Sequence, residues 1–154
     1  MEQLLHDEWA LLLLVMAASV VTVLATVLIH YEALTLISRF LHPRFENPRQ
    51  QMMVVIIGIF TAHTLEVWLY ALAYYLLDRL TPVADIIDVA DNLSGSFLDY
   101  LYFSTVSYTS LGLGDLYPVG PVRLMTGIES LNGLLLIGWS ASFTYLVMEK
   151  RWRL

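Results

Sequence analysis

The sequence has no cysteine and little charge. The absence of cysteine excludes disulfides and thiol chemistry and leaves the redox compartment unassigned. Charged residues make up 14% of the 154 positions, where a soluble domain carries about 25%. The Lys and Arg residues sit in a few places and build no basic patch, which argues against nucleic acid as a partner. No apolar stretch carries a ladder of arginines at every third residue, which argues against a voltage sensor. No nucleophile–base or metal set stands out, since His63 and Glu66 alone fall short of one. No enzymatic activity and no cofactor are expected.

What the chain does have is apolar surface. Hydrophobic residues make up 58% of it, with a mean hydropathy of +0.66, in blocks too long for a soluble core. This pattern predicts an all-α integral membrane protein whose length leaves no room for a separate soluble domain. An acidic start (Glu2, Asp7, Glu8) leads into an uncharged run from Trp9 to Ile29. That run is long enough to cross a hydrocarbon core of roughly 30 Å. A signal peptide would need a positive n-region and a shorter apolar run. Trp9 at one end and His30-Tyr31 at the other suit interfacial belts. Ser19, Thr22 and Thr26 have helical spacing and are placed to bond another helix. Residues 31–40 continue as helix or lie at the interface until Pro43 stops them.

The loop at 39–49 holds Arg39, His42, Arg44 and Arg49, and the C-terminus holds Lys150, Arg151 and Arg153. The positive-inside rule puts both in the cytoplasm, with the N-terminus and residues 78–99 outside. Three spans satisfy this arrangement. The second, 50–77, is apolar apart from His63 and Glu66, which share a helix face at i, i+3. Their readings are a mutual hydrogen bond or one to a neighbouring helix, a part in ion or proton movement, or modulation of gating. Tyr70, Tyr74 and Tyr75 are expected as an outer aromatic girdle. The outer loop, 78–96, carries Asp78, Asp85, Asp88 and Asp91 against Arg79. These acids either solubilise the loop or concentrate cations near an opening. A break is expected at Thr81-Pro82 and a short surface helix at Ile86-Ile87. Asn92-Leu93-Ser94 fits the glycan acceptor pattern, but nothing indicates a glycosylating host.

Residues 97–108 are too few to span a membrane, which takes roughly 20. They run into Thr109-Ser110-Leu111-Gly112-Leu113-Gly114-Asp115, where glycines alternate with larger side chains. Glycine weakens a strand interior and marks a close approach of backbone. A half-length helix followed by extended backbone is tolerated in a membrane only where protein buries it or water lines it. Carbonyls of 109–113 lining such a cavity can replace a cation's hydration shell. One chain supplies only one strand of carbonyls, so the geometry calls for several copies around an axis. Pro121 then opens the last span, 121–149, which holds Arg123, Glu129 and Asn132 and is interrupted by Gly127, Gly133 and Gly138. The glycines serve close helix packing or a bend at an inner mouth. Glu129, at a depth similar to Glu66, is expected behind the glycine stretch with Ser/Thr groups or His63 nearby.

Residues 50–148 resemble the pore domain of the potassium-channel superfamily, particularly small bacterial two-transmembrane channels. The order matches: outer helix 50–77, outer loop 78–96, pore helix 97–108, filter 109–115, inner helix 121–149. The first span and basic loop, 1–49, lie outside it. The family filter Thr-Val-Gly-Tyr-Gly-Asp is matched by Ser110-Leu111-Gly112-Leu113-Gly114-Asp115, and Thr109 matches a threonine common at its base. Tyr102-Phe103-Ser104-Thr105-Val106 looks like the pore helix, and Tyr117-Pro118, Arg123, Glu129 and Gly133 resemble the start of the inner helix. The resemblance implies a homotetramer in a bacterial cell membrane, in contact with lipids, passing potassium as its permeant ion through the carbonyls of Thr109, Ser110, Leu111, Gly112, Leu113 and Gly114. Asp115 stands at the outer mouth, and His63, Glu66, Glu129 and Gly133 support the filter or its gating.

Two departures bear on selectivity. Ser110 replaces the threonine whose hydroxyl forms the innermost ion site, and loses the methyl that restricts its rotamers. Leu113 replaces the tyrosine whose hydroxyl bonds behind the filter. The alternatives are a weakly selective monovalent cation channel, a non-conducting scaffold, and an accessory subunit that conducts only with a partner. With few residues after the last span, no cytoplasmic ligand domain is expected. Control then falls to protons, tension, lipid or an unidentified regulatory partner, or the path is always open. His42 is a candidate pH sensor.

Overall fold

A computed structural model describes residues 2–44, 47–81, 86–89 and 95–152. Pro82, Asp85, Asp91, the Asn92-Leu93-Ser94 pattern and Arg153 lie outside the described residues, as do the side chains of Glu2, Asp7, His42, Arg44 and Arg151. The elements are α1 (Glu2–Arg44), α2 (Pro48–Leu80), β1 (Ile86–Asp88), α3 (Phe97–Tyr108), β2 (Leu116–Pro118) and α4 (Val122–Trp152). Three helices, α1, α2 and α4, are long and apolar enough to cross a membrane. The short α3 lies between the second and third of them in sequence.

α1 is one continuous helix of 43 residues, about 64 Å long at 1.5 Å per residue. It buries a single row: Val15, Ser19, Thr22, Thr26, His30, Leu34, Ile37 and Leu41. Those spacings of three and four mark one helix face, and that face meets both α2 and α4. Leu34, Ile37 and Leu41 pack with Val55 of α2 in a cluster that also takes Phe143 and Val147 of α4. Gly58 brings α2 close to α1, since a Cβ there would come 2.6 Å from Ile37 Cδ1. His30 is fully buried rather than interfacial. A helix that packs along most of its length has no boundary at its middle, so the interfacial expectation for His30-Tyr31 fails at His30.

α2 begins with the Asn47 side chain accepting from the Arg49 N–H, and Pro48 stands in its first turn. Asn47 occupies the cap because its short amide satisfies an orphan donor, and proline at the start has no N–H to lose. The second core cluster gathers Tyr70, Tyr74 and Leu77 of α2, Tyr100, Phe103 and Tyr108 of α3, and Val122 and Met125 of α4. The expected tyrosine girdle is therefore corrected. Tyr70 and Tyr74 are buried with their hydroxyls bonded inside. Only Tyr75 keeps an outer place, edge-on to Phe97 and Tyr100 with the Arg79 guanidinium over its ring.

The expected surface helix at Ile86-Ile87 is replaced by a strand. β1 pairs antiparallel with β2 in the register Ile86↔Pro118, Ile87↔Tyr117 and Asp88↔Leu116. β-branched residues suit such pairing, and Ile86 gains burial from it. Beyond the ladder, the Val89 N–H donates to the Asp115 carbonyl at 3.0 Å. The outer loop is thus tied to the end of the glycine stretch.

Candidate functional site

The site is built on α3. Its first turn is closed by Asp99, whose carboxylate accepts from the Ser96 N–H at 3.0 Å. A negative side chain there also suits the helix dipole. At the other end the last carbonyls need partners, and the glycine stretch supplies them. Thr105 O accepts from the Thr109 N–H, Val106 O from Leu111 and Gly112, and Ser107 O from Ser110 and from the Ser130 hydroxyl of α4. The N–H groups of 109–112 are thereby spent on α3. Among the described residues no hydrogen bond goes to the carbonyls of 109–114.

The backbone alternates in hand. Ser110, Gly112 and Gly114 have φ of 57°, 52° and 83°, while Leu111 and Leu113 between them do not take positive values. Only glycine enters that region freely, so Gly112 and Gly114 carry it at little cost. Ser110 carries it at a cost of about 1–3 kcal/mol, a strain that accompanies functional backbone. Ser110, Gly112 and Gly114 border a cavity of about 310 Å³ together with Val106, Ser107 and Ser130. Leu111 and Leu113 are absent from that lining and stand 63% and 60% exposed on the single chain. Asp115 is exposed and accepts from the Tyr102 hydroxyl at 2.7 Å.

Two carboxylates hold α3 from opposite helices. Glu129 of α4 accepts from Ser104 and from Tyr74, each at 2.6 Å, and is fully buried. Of the two expected kinds of neighbour, Ser/Thr groups or His63, the structure supplies a serine, Ser104, together with Tyr74. Glu66 of α2 sits one helical turn further along α3, where Tyr108 donates to it. His63 bonds Glu66 at 2.9 Å, as its spacing predicts, and His30 of α1 bonds the other Glu66 oxygen at 2.9 Å. Asn132 of α4 donates to Thr26 of α1 at 2.9 Å and to Tyr70 of α2 at 3.2 Å. Ser19 and Thr22 bond their own helix instead, through carbonyls four residues back.

Gly133 is a contact glycine. A Cβ there would lie 2.1 Å from the Tyr108 carbonyl oxygen, so α4 passes with its backbone against the end of α3. Gly127 and Gly138 meet nothing within 4 Å. Sequence reasoning missed His30, Tyr108, Ser104, Tyr74 and Ser140. The signal for His30 was present in the row Ser19, Thr22, Thr26, His30, a polar continuation of one buried face.

A family model described as ion channel matches residues 62–150, more than half of the chain and all of α3, the glycine stretch and nearly all of α4. No curated protein and no solved structure matches it. Three membrane-length helices and this domain make the chain an integral membrane protein. The chain belongs to the ion-channel family, as a two-transmembrane, potassium-channel-type pore domain with a third apolar helix on its N-terminal side.

Proposed function

We propose that four copies of the chain surround one path and pass potassium through the backbone of residues 109–114. The observation that carries this reading is the alternation of left-handed φ at Ser110, Gly112 and Gly114 beside a helix that has taken up the N–H groups of 109–112. Carbonyls without an internal donor are available to replace an ion's water. One strand of carbonyls cannot encircle an ion, and exposed Leu111 and Leu113 offer apolar surface for a neighbouring copy to cover. The C-terminal end of α3 adds a dipole that favours cations in the space beneath. Ions then move in single file, bound tightly enough to shed water and loosely enough to leave. The acidic start lies outside and the basic loop and C-terminus in the cytoplasm.

A second reading within the same class is weak selectivity among monovalent cations. It is favoured by Leu113, which cannot hydrogen-bond and is 60% exposed, leaving filter width to packing alone. The test is ion flux from the purified protein in liposomes, with the reversal potential under opposed sodium and potassium gradients. A potassium-following potential supports the first reading. Equal permeability moves the conclusion to the second. Absence of any monovalent flux, over varied pH and tension, favours a scaffold or a partner-dependent subunit.

A further inference from the structure

Away from the filter, the densest group of titratable side chains lies where all four helices meet. His30 Nδ1 and His63 Nδ1 each lie 2.9 Å from a different Glu66 oxygen. The Tyr108 hydroxyl donates to Glu66 Oε2 and lies 2.9 Å from His63 Nδ1. The outward nitrogens of the two rings converge on one atom. Ser140 Oγ lies 3.2 Å from His30 Nε2 and 3.1 Å from His63 Nε2. The inward ligand atoms of His30, His63 and Glu66 all fall within 4.8 Å of one another.

A serine hydroxyl has one proton and two lone pairs. With a proton on each Nδ1, aimed at Glu66, two neutral rings would both turn bare Nε2 atoms toward Ser140. Its single proton serves only one of them, so the other ring must be an imidazolium. A second arrangement is mixed: one ring keeps its proton on Nδ1 and accepts from Ser140, while the other donates from Nε2 to Ser140 and its bare Nδ1 accepts from a protonated Glu66 or from Tyr108. A third puts both protons on Nε2. Ser140 then accepts from both rings, and both Nδ1 lone pairs point inward at the carboxylate and the phenol. Two imidazole nitrogens and two oxygens converging in this way are the donor set of a divalent metal ion.

We propose that His30 Nδ1, His63 Nδ1, one Glu66 oxygen and the Tyr108 oxygen form a four-coordinate site for a divalent transition-metal ion of the zinc class. Nitrogen and oxygen donors in a tetrahedral set suit that ion. Ser140 fixes the tautomer of both ligands from behind, as outer partners of metal-bound histidines do. The charges balance. Without metal the cluster is net neutral, as one imidazolium with one carboxylate or as two neutral rings with a protonated carboxyl. With metal, the dication offsets a carboxylate and a phenolate. In either case four protons, shared among the two rings, Glu66 and Tyr108, become two on Nε2, so each ion that enters displaces two protons. A net-neutral exchange matters for buried groups on membrane-length helices, where uncompensated charge is costly. The ion ties α1 to α2 and to the last residue of α3, directly before the filter strand.

The test uses the full chain, purified without a histidine tag, stripped with a chelator and titrated with Zn²⁺ or Co²⁺. The expected result is one ion per chain by elemental analysis and the intense visible absorption of four-coordinate cobalt. Ser140→Ala keeps all four ligands and is expected to weaken binding by about 10–100-fold, with assembly unchanged on size exclusion. His30→Ala is expected to abolish the cobalt signal. Metal content no higher than in His30→Ala, a six-coordinate cobalt spectrum, or unchanged affinity in Ser140→Ala each overturns the site. The cluster is then a hydrogen-bonded network that holds protons and no metal. Ion flux is measured separately, so loss of the metal site and loss of the channel reading are distinguishable.

Discussion

Ser104 on α3 sits between two acceptors, Glu129 Oε1 at 2.6 Å and the Val67 carbonyl at 2.9 Å. Its one proton serves one of them. A donor at position 129 would let Ser104 turn its proton to Val67 while Tyr74 still donates to the other oxygen. Gln is such a residue, with an amide N–H toward Ser104 and a carbonyl toward Tyr74. Glu129→Gln is therefore expected to keep assembly, with stability within about 1 kcal/mol of the parent, the size of one ordinary hydrogen bond. Glu129→Ala leaves Tyr74 only the longer bond to Thr126 Oγ1 at 3.3 Å and takes a buried acceptor from Ser104, and is expected to cost about 1–3 kcal/mol. Thermal unfolding of the detergent-solubilised assembly compares the two.

Gly133 and Gly58 both permit close approach, yet they differ in what an added methyl meets. At Gly133 the obstacle is the Tyr108 backbone carbonyl, 2.1 Å away. At Gly58 it is the end of the Ile37 side chain, 2.6 Å away. A side-chain tip can rotate to another staggered well, while the backbone at the end of α3 cannot. Gly133→Ala is expected to abolish or severely reduce ion flux and assembled yield. Gly58→Ala is expected to cost no more than about 1–3 kcal/mol, the ordinary penalty of overpacking. Flux and size exclusion on both variants check the contrast.

The sequence carried the helices well and the polar contacts poorly. Blocks of apolar residues identify α1, α2 and α4 by length alone, and Phe97–Tyr108 stands out because it is too short to span. The His63–Glu66 bond was readable because i, i+3 residues on one helix are neighbours wherever the helix lies. The partners His30, Tyr108 and Ser140 were not, because they come from three other helices whose rotation is set by packing. His30 sat next to Tyr31 at the apparent end of an apolar run, and only its place in the row Ser19, Thr22, Thr26, His30 set it apart from an interfacial residue. The β1–β2 pairing was hidden for a similar reason, since β1 and β2 are each only three residues long and pair across the whole of α3.

The glycine stretch makes an opposite pair of predictions at Gly112 and Ser110. Gly112 has φ 52°, and an alanine there meets nothing within 4 Å. Its cost is conformational, about 1–2 kcal/mol per residue held left-handed, and it is repeated in every copy of the assembly. Gly112→Ala is expected to keep the helices and abolish flux, because the strand turns away from the strained geometry. Ser110 already bears that strain at φ 57°. Ser110→Gly is expected to relieve it and raise the unfolding midpoint, while removing a hydroxyl from the strand and lowering potassium preference in the reversal potential.

The Tyr102 hydroxyl donates to Asp115 Oδ2 at 2.7 Å at the outer end of the strand. This bond holds the Asp115 carboxyl below its ordinary value of 3.8, and the same contact raises the Tyr102 phenol above 10.0. A depressed carboxylate contributes its stabilisation in full above its unfolded value and loses it as pH falls through the lower folded one. Asp115 therefore keeps its charge throughout the neutral and mildly acidic range. Under the proposed channel reading, in which Asp115 either draws cations to the path or bonds behind the filter, flux in liposomes acidified on the Asp115 side is expected to stay level from about pH 8 to about pH 5. Its decline is expected to be centred below the ordinary carboxylate value of 3.8. Both groups are exposed, so salt screens the interaction, and the shift is best read at low ionic strength. Tyr102→Phe removes the donor and keeps the ring, and is expected to move the midpoint of the decline upward, toward the ordinary carboxylate value. An unchanged midpoint in Tyr102→Phe would separate the acid response from this pair.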